Sequence, residues 1–197
     1  KGVMIITLVL LIACKNKKPK TVQDEDLSAA EFISIAPAVS FPVIIHDTML
    51  TKKGNDSALI NQSVFKTFIP DSVFKKYYPQ VKQLKLYLVG KATDDEQGNY
   101  IIVKSVTQAN PGAQIYYFDK GAVYKGSMKL TDQNKKIRGN SFTRIDSRLN
   151  IAMVEEVKLS TGELQTAETI YYIDENGDFK VAMTNSNEDL SDQMMGN

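Results

Sequence analysis

The chain of 197 residues contains one cysteine, Cys14, one histidine, His46, and no tryptophan. A single cysteine excludes an intrachain disulfide, so packing alone has to stabilise the fold. A single histidine excludes a His-rich metal site, and any Ser-His-Asp triad would have to use His46. Asp47 stands beside it to orient the ring, but no serine lies in a Gly-x-Ser-x-Gly elbow, so His46 is read as a strand-end polar residue. The lack of tryptophan argues against a dedicated sugar-binding cleft. Neither sign of charge dominates: 24 Lys and Arg stand against 23 Asp and Glu, a formal net charge of +1. That balance offers no basic excess for nucleic acid and no acidic excess for a metal sink or a disordered acidic tail. No cofactor or metal is expected. The apolar content of 43% suffices for a packed core.

Long hydrophobic runs are also lacking. The longest extends from Val3 to Ala13, broken by Thr7 and preceded by Lys1. About 11 residues reach roughly 16 Å as a helix, whereas the hydrocarbon core needs about 20 residues. The run therefore has the length of a signal-peptide apolar region and not of a transmembrane span. It closes on Leu11-Ile12-Ala13-Cys14, followed at once by polar residues. Leu-Ile-Ala-Cys resembles the lipobox of bacterial lipoproteins. That resemblance implies cleavage before Cys14, diacylglycerol on its thiol and an acyl chain on its amine. Cys14 is thus the lipidation candidate, and acyl chains on it would hold the domain at a membrane without help from the fold. The thiol would then not be a catalytic nucleophile.

Residues 14–26 read as the lipidated cysteine and a flexible tether, rich in Lys15, Lys17, Lys18 and Lys20 and then Asp24, Glu25 and Asp26. In lipoproteins of the Bacteroidetes type, acidic residues close behind the cysteine form a surface-export signal. Lys15-Asn16-Lys17-Lys18 departs from that pattern, so the resemblance implies an outer-membrane location facing the periplasm. Residues 27–187 are expected to form one β-rich domain, and 188–197 a flexible tail.

Within the domain, Leu27 to Phe32 suggests a helical turn capped by Ser28, and Phe41 to Ile45 a short strand with Pro42 at an edge or a strand start. Val64, Phe65, Phe68 and Ile69 form one apolar stripe. Pro70 ends that turn, and Asp71 or Ser72 is placed to cap a second helix ending before Pro79. These helices are expected to plug one end of a β core. From Leu84 onward short β-prone segments alternate with turns, the pattern of antiparallel meanders. Ile115-Tyr116-Tyr117-Phe118-Asp119 returns as Ile170-Tyr171-Tyr172-Ile173-Asp174, 55 residues later, each before a Gly turn and another strand. Val103 and Val106 align with Val154 and Val157 at a step of 51. The expected architecture is mainly β: two four-stranded, blade-like repeats, about 84–130 and 141–184, packed as a sandwich or a curled sheet with one or two short helices.

Candidate chemistry is sparse. Asp174-Glu175-Asn176-Gly177-Asp178 has alternate oxygen ligands, but Gly177 is fourth where a calcium loop needs glycine sixth, and Asn-Gly is a hairpin dipeptide. A turn is the preferred reading, as it is for Asp94-Asp95-Glu96. Glu155-Glu156, Glu163 and Glu168 are available for glycoside hydrolysis, but adjacent strand residues point to opposite faces. No catalytic constellation emerges, and an enzyme is not expected. Asp47-Thr48-Met49, Asp56-Ser57-Ala58 and Asp71-Ser72-Val73 resemble the O-glycosylation sequon of Bacteroidetes proteins, with Ser57 the best placed. The repeated tyrosines are the more informative surface. If Phe118 and Ile173 face the core, Tyr117 and Tyr172 face away, as a pair lining a concave face for a protein partner or a glycan. The function expected is a lipid-anchored envelope module that binds or assembles with another envelope protein, the alternative being a glycan or small-ligand binder.

Overall fold

In the computed structural model, residues 20–52, 54–79, 83–94, 98–107, 111–132, 139–158 and 162–186 are described. The elements run in the order α1 (Ala29–Ile35), β1 (Val43–His46), α2 (Asp47–Thr51), a 3-10 turn (Asp56–Ala58), α3 (Gln62–Phe68), α4 (Asp71–Tyr77), β2 (Lys85–Thr93), β3 (Asn99–Val106), β4 (Gly112–Phe118), β5 (Tyr124–Asp132), β6 (Gly139–Ile145), β7 (Ile151–Lys158), β8 (Leu164–Ile173) and β9 (Phe179–Ser186). The nine strands make two antiparallel sheets, ordered β2-β3-β4-β5 and β1-β6-β7-β8-β9. The mainly β, two-repeat architecture expected from the sequence is present: β2–β5 is one meander and β6–β9 the other.

The helical content is larger than the one or two helices expected, since four α-helices and a 3-10 turn form among the described residues. They also do not plug an end. α1, α3 and α4 lie across one face of the four-stranded sheet, where Phe32, Phe65 and Phe74 join Leu86, Ile101, Val103, Tyr116 and Phe118 in one buried cluster. An amphipathic helix buries most area along its stripe, and a sheet face accepts the whole stripe where a barrel end would not. A second cluster lies on the opposite face, where Tyr100, Ile102, Ala113, Ile115 and Leu130 meet Ile45, Leu50, Ile145 and Ile151. The molecule is thus layered as helices, four-stranded sheet, five-stranded sheet. Burial on both faces explains the unbroken apolar run Tyr100 to Val103 in β3.

Two local expectations change. The tether expected to reach residue 26 is docked from at least Val22, which is 7% exposed and joins the helix-side cluster. The Val22 carbonyl accepts from the Asn61 N–H at 3.0 Å, and Lys20 bridges Asp26 and Glu31 at 3.1 and 3.0 Å. One buried valine and these bonds order the segment despite its polar composition. Second, Pro70 occupies the N-cap of α4 with no side-chain cap, so neither Asp71 nor Ser72 plays that part; Asp71 instead pairs with Lys75. The Ser28 cap does form, as a capping box with Glu31. Those bonds, first the one from the Ser28 N–H, hold the Glu31 carboxyl at about 2.

The repeat is written into the turns. Asp119 accepts from the N–H groups of Gly121 and Val123 at 2.9 Å each, and Ala122, the fourth residue of the turn, has φ +60°. Asp146 does the same with Arg148 and Asn150 around Leu149 at φ +62°. Asp174 does so with Asn176 and Asp178 around Gly177 at φ +89°. Asp94 takes the equivalent N–H, that of Gly98, at 2.6 Å. These are the β2–β3, β4–β5, β6–β7 and β8–β9 turns. Each of these carboxylates, at the end of a strand, supplies the acceptor that a tight hairpin turn needs, and the turns of Asp119, Asp146 and Asp174 each contain one left-handed residue.

Candidate functional site

Direct register partners on neighbouring strands share a face, so the two faces of the five-stranded sheet can be read off its pairing. Val43, Ile145, Ile151 and Tyr171 lie on the inner face, against the four-stranded sheet. The row one residue along, Ile44, Arg144, Ala152, Ile170 and Met183, lies on the other face. His46, Phe142, Val154, Glu168 and Asn185 form the next row, and Tyr172 pairs with Lys180 in a third. No described element covers this outer face.

Its centre is apolar, and the two charges there are paired with each other. Arg144 and Glu168 meet at 3.2 Å by reaching diagonally over β7. Ala152 and Val154 beneath them are only 5% and 7% exposed. Around that pair Ile44, Tyr172 and Met183 are 42%, 44% and 52% exposed. His46 stacks near Phe142 with ring centroids 5.4 Å apart. An exposed face carrying large apolar side chains in adjoining rows is a surface that water does not favour.

The two tyrosines picked out by the repeat are equivalent in sequence but are not brought together. Tyr172 stands on this outer face. Tyr117 is on the face of the four-stranded sheet that meets the five-stranded one, partly buried beside Tyr100 at 4.8 Å between ring centroids. They cannot line one concave surface, because the meanders stack in the same sense. The Phe118 face of the first is covered by helices, its Tyr117 face by the second meander, and the Tyr172 face of the second by nothing described.

The other candidates are dispersed. His46 is exposed at the end of β1. Glu155 and Glu156 take opposite faces, Glu163 precedes β8, and Glu168 is engaged by Arg144. Both oxygens of Asp174 face donors, the turn N–H groups and Lys180 at 3.8 Å. Among the described residues no group of three or more His, Cys, Asp or Glu side chains is placed to share a metal ion. Ser57 accompanies Asn55, which caps the 3-10 turn. Cys14 and the tail from 188 lie outside the described residues. Among the described residues, no helix is long and apolar enough to cross a membrane.

Cavities of about 390 and 360 Å³ lie on the helix side, and one of about 260 Å³ lies between Tyr77 and Gln114; none touches Tyr117, Tyr172 or His46. Beside the last, Tyr78 places its hydroxyl 2.9 Å from Gln114 Oε1 and 2.8 Å from the Tyr116 hydroxyl. Burial pushes both tyrosines well above their ordinary value. This buried chain fixes the seat of α4 on the sheet.

Reading repeats for their tyrosines missed Ile44, Phe142, Ile170 and Met183. A usable signal existed in Val43-Ile44-Ile45: consecutive apolar residues in an edge strand are apolar on both faces, where a sheet covered on one side should alternate. Comparison with protein-family models, with curated proteins and with solved structures finds no match for this chain.

Proposed function

We propose that this chain is a lipid-anchored cell-envelope protein, held through acylated Cys14 at the outer membrane facing the periplasm, whose β domain is a non-enzymatic binding module. The anchor rests on Leu11-Ile12-Ala13-Cys14 at the end of a short apolar run. The binding role rests on one observation, the outer face of the five-stranded sheet, covered by no described element, with Ile44, Tyr172 and Met183 exposed around a neutral Arg144–Glu168 pair. Such a face suits a protein partner, which fills it with apolar side chains and leaves the ion pair in place.

The two parts are tested separately. Cys14→Ser should remain uncleaved or appear in the soluble fraction; processed protein still sedimenting with membranes would remove the anchor. A photo-crosslinker at position 172 should capture an envelope protein in intact cells, and Met183→Lys should abolish that capture. An unaltered pattern would sink the docking role. The exposure of Tyr172 also favours a second reading, in which its ring stacks on a glycan or other small ligand. A rise in melting temperature with added glycan, absent in Tyr172→Ala, would select that reading.

A further inference from the structure

The stacking sense of the two meanders says what kind of surface the outer face fits. Tyr117 and Tyr172 hold the same place in the two copies. The Tyr117 face of the first copy is covered by another β-sheet, across which Ile115 and Ala113 meet Ile145 and Ile151. The Tyr172 face of the second copy carries the corresponding side of the same repeat, and no sheet among the described residues lies on it.

We propose that a second copy of this chain covers that face, in a two-fold dimer whose five-stranded sheets pack outer face to outer face. The inference rests on the reading of this face as a docking surface and names its partner. Three features favour a like copy. First, the area is adequate. Five strands about 4.8 Å apart and roughly 23 Å long give a face on which two copies bury on the order of 1,200 Å² in total, the lower end of specific interfaces. Second, the charges are compatible with self-contact. Arg144 at the centre is paired with Glu168, while Lys180 with its neighbours Asp178 and Asp174, and Glu156 on the same face of β7, lie toward opposite ends of the sheet, so apposed copies meet a neutral pair at the middle of the contact. Third, the opposite side of the molecule is closed by helices, so stacking cannot continue head to tail and a closed, isologous pair is the available arrangement. Pairing would place Tyr172, Ile44 and Met183 of each copy against the central apolar rows of the other.

The test uses the full chain in detergent, followed by sedimentation velocity over a dilution series. The expected result is a species of twice the protomer mass. Tyr172→Lys and Met183→Lys should each weaken it by about tenfold or more, since a desolvated unpaired charge exceeds the 1.4 kcal/mol that a factor of ten represents. Both side chains are exposed, so the far-ultraviolet dichroism should be unchanged. Val123→Lys, at an exposed turn between β4 and β5, should leave the dimer intact. A monomer at every concentration, or a dimer indifferent to Tyr172→Lys and Met183→Lys, overturns the proposal. A pure-chain monomer whose position 172 still crosslinks to a different envelope protein, or to residues 187–197 of its own chain, also overturns the second copy as occupant. Crosslinking to the different protein leaves the docking reading standing. A monomer with no crosslink at all removes both.

Discussion

Asp119 and Asp174 close two hairpin turns with the same hydrogen bonds, a step of 55 residues apart. In each, Oδ1 accepts the N–H groups two and four residues on, and a lysine six residues on, Lys125 or Lys180, approaches Oδ2 at 3.2 or 3.8 Å. The likeness between the two sequence segments is therefore a likeness of hydrogen-bonded geometry.

Asp119 is held below its ordinary value, first by the bond from the Val123 N–H. Burial pushes the Asp146 carboxyl up, but the bonds from Asn150 and Arg148 outweigh it and the net shift is downward. Glu31 is held at about 2 by the Ser28 N–H and Lys20. Groups with depressed folded-state values contribute stability that is present above their unfolded values and is lost as pH falls through the folded ones. Melting temperature should therefore be flat down to about pH 5 and fall between about pH 4 and pH 2. Asp146→Ala should flatten that fall and lower stability at neutral pH by about 1–2 kcal/mol, since it removes bonds worth about 0.5–1.5 kcal/mol each. Thermal melts of both proteins across the pH series check it.

The left-handed residue of each turn gives a prediction of opposite signs. Ala122 sits at φ +60°, so Ala122→Gly should relieve strain and change stability by no more than about 1 kcal/mol, toward greater stability. Gly177 sits at φ +89°, and a Cβ there would run into Lys125, while one on Gly126 would run into the Gly177 carbonyl. Gly177→Ala and Gly126→Ala should each destabilise by about 1–3 kcal/mol, because the Lys125 Cβ and the Gly177 carbonyl they meet are held by the backbone and cannot relax cheaply. Urea midpoints at unchanged slope would report it.

Tyr78→Phe removes the hydroxyl that joins Gln114 to Tyr116 and leaves buried polar atoms short of a partner, a loss of about 1–3 kcal/mol. Burial raises both tyrosines, so their contribution is present below the ordinary tyrosine value near 10 and is lost as pH rises toward their folded values. Ultraviolet titration of the folded wild type should show these two phenols ionising only as the protein unfolds. Ionisation with the exposed tyrosines would contradict the buried chain.

Phe65 is fully buried, with Phe32 at 5.7 Å and Tyr116 at 5.2 Å between ring centroids. Phe65→Ala should lower stability by about 3–5 kcal/mol through the cavity it leaves between α3 and the sheet. Chemical denaturation followed by far-ultraviolet dichroism measures this directly.

Much of this fold was legible in the sequence because its determinants are local. The β-prone segments, the Asp and Gly turns and the Phe65–Phe68 stripe each act within a few residues, and they mark nine strands, the doubled meander and helices α3 and α4. The 55-residue step made Tyr117 and Tyr172 equivalent before any contact was known. What no local pattern contains is which face of a sheet meets which layer. Tyr117 and Tyr172 have closely similar neighbours in sequence, yet one is partly buried between the sheets and the other is exposed. The difference arises because helices and the second meander take the two faces of the first sheet, leaving the second sheet with one face that no described element covers. Val22 was missed for a related reason: a single apolar residue in a polar stretch carries no period, and only the groove waiting for it determines that it is buried. Local chemistry determined the elements. Burial, a property of the assembled layers, decided the surface they leave free.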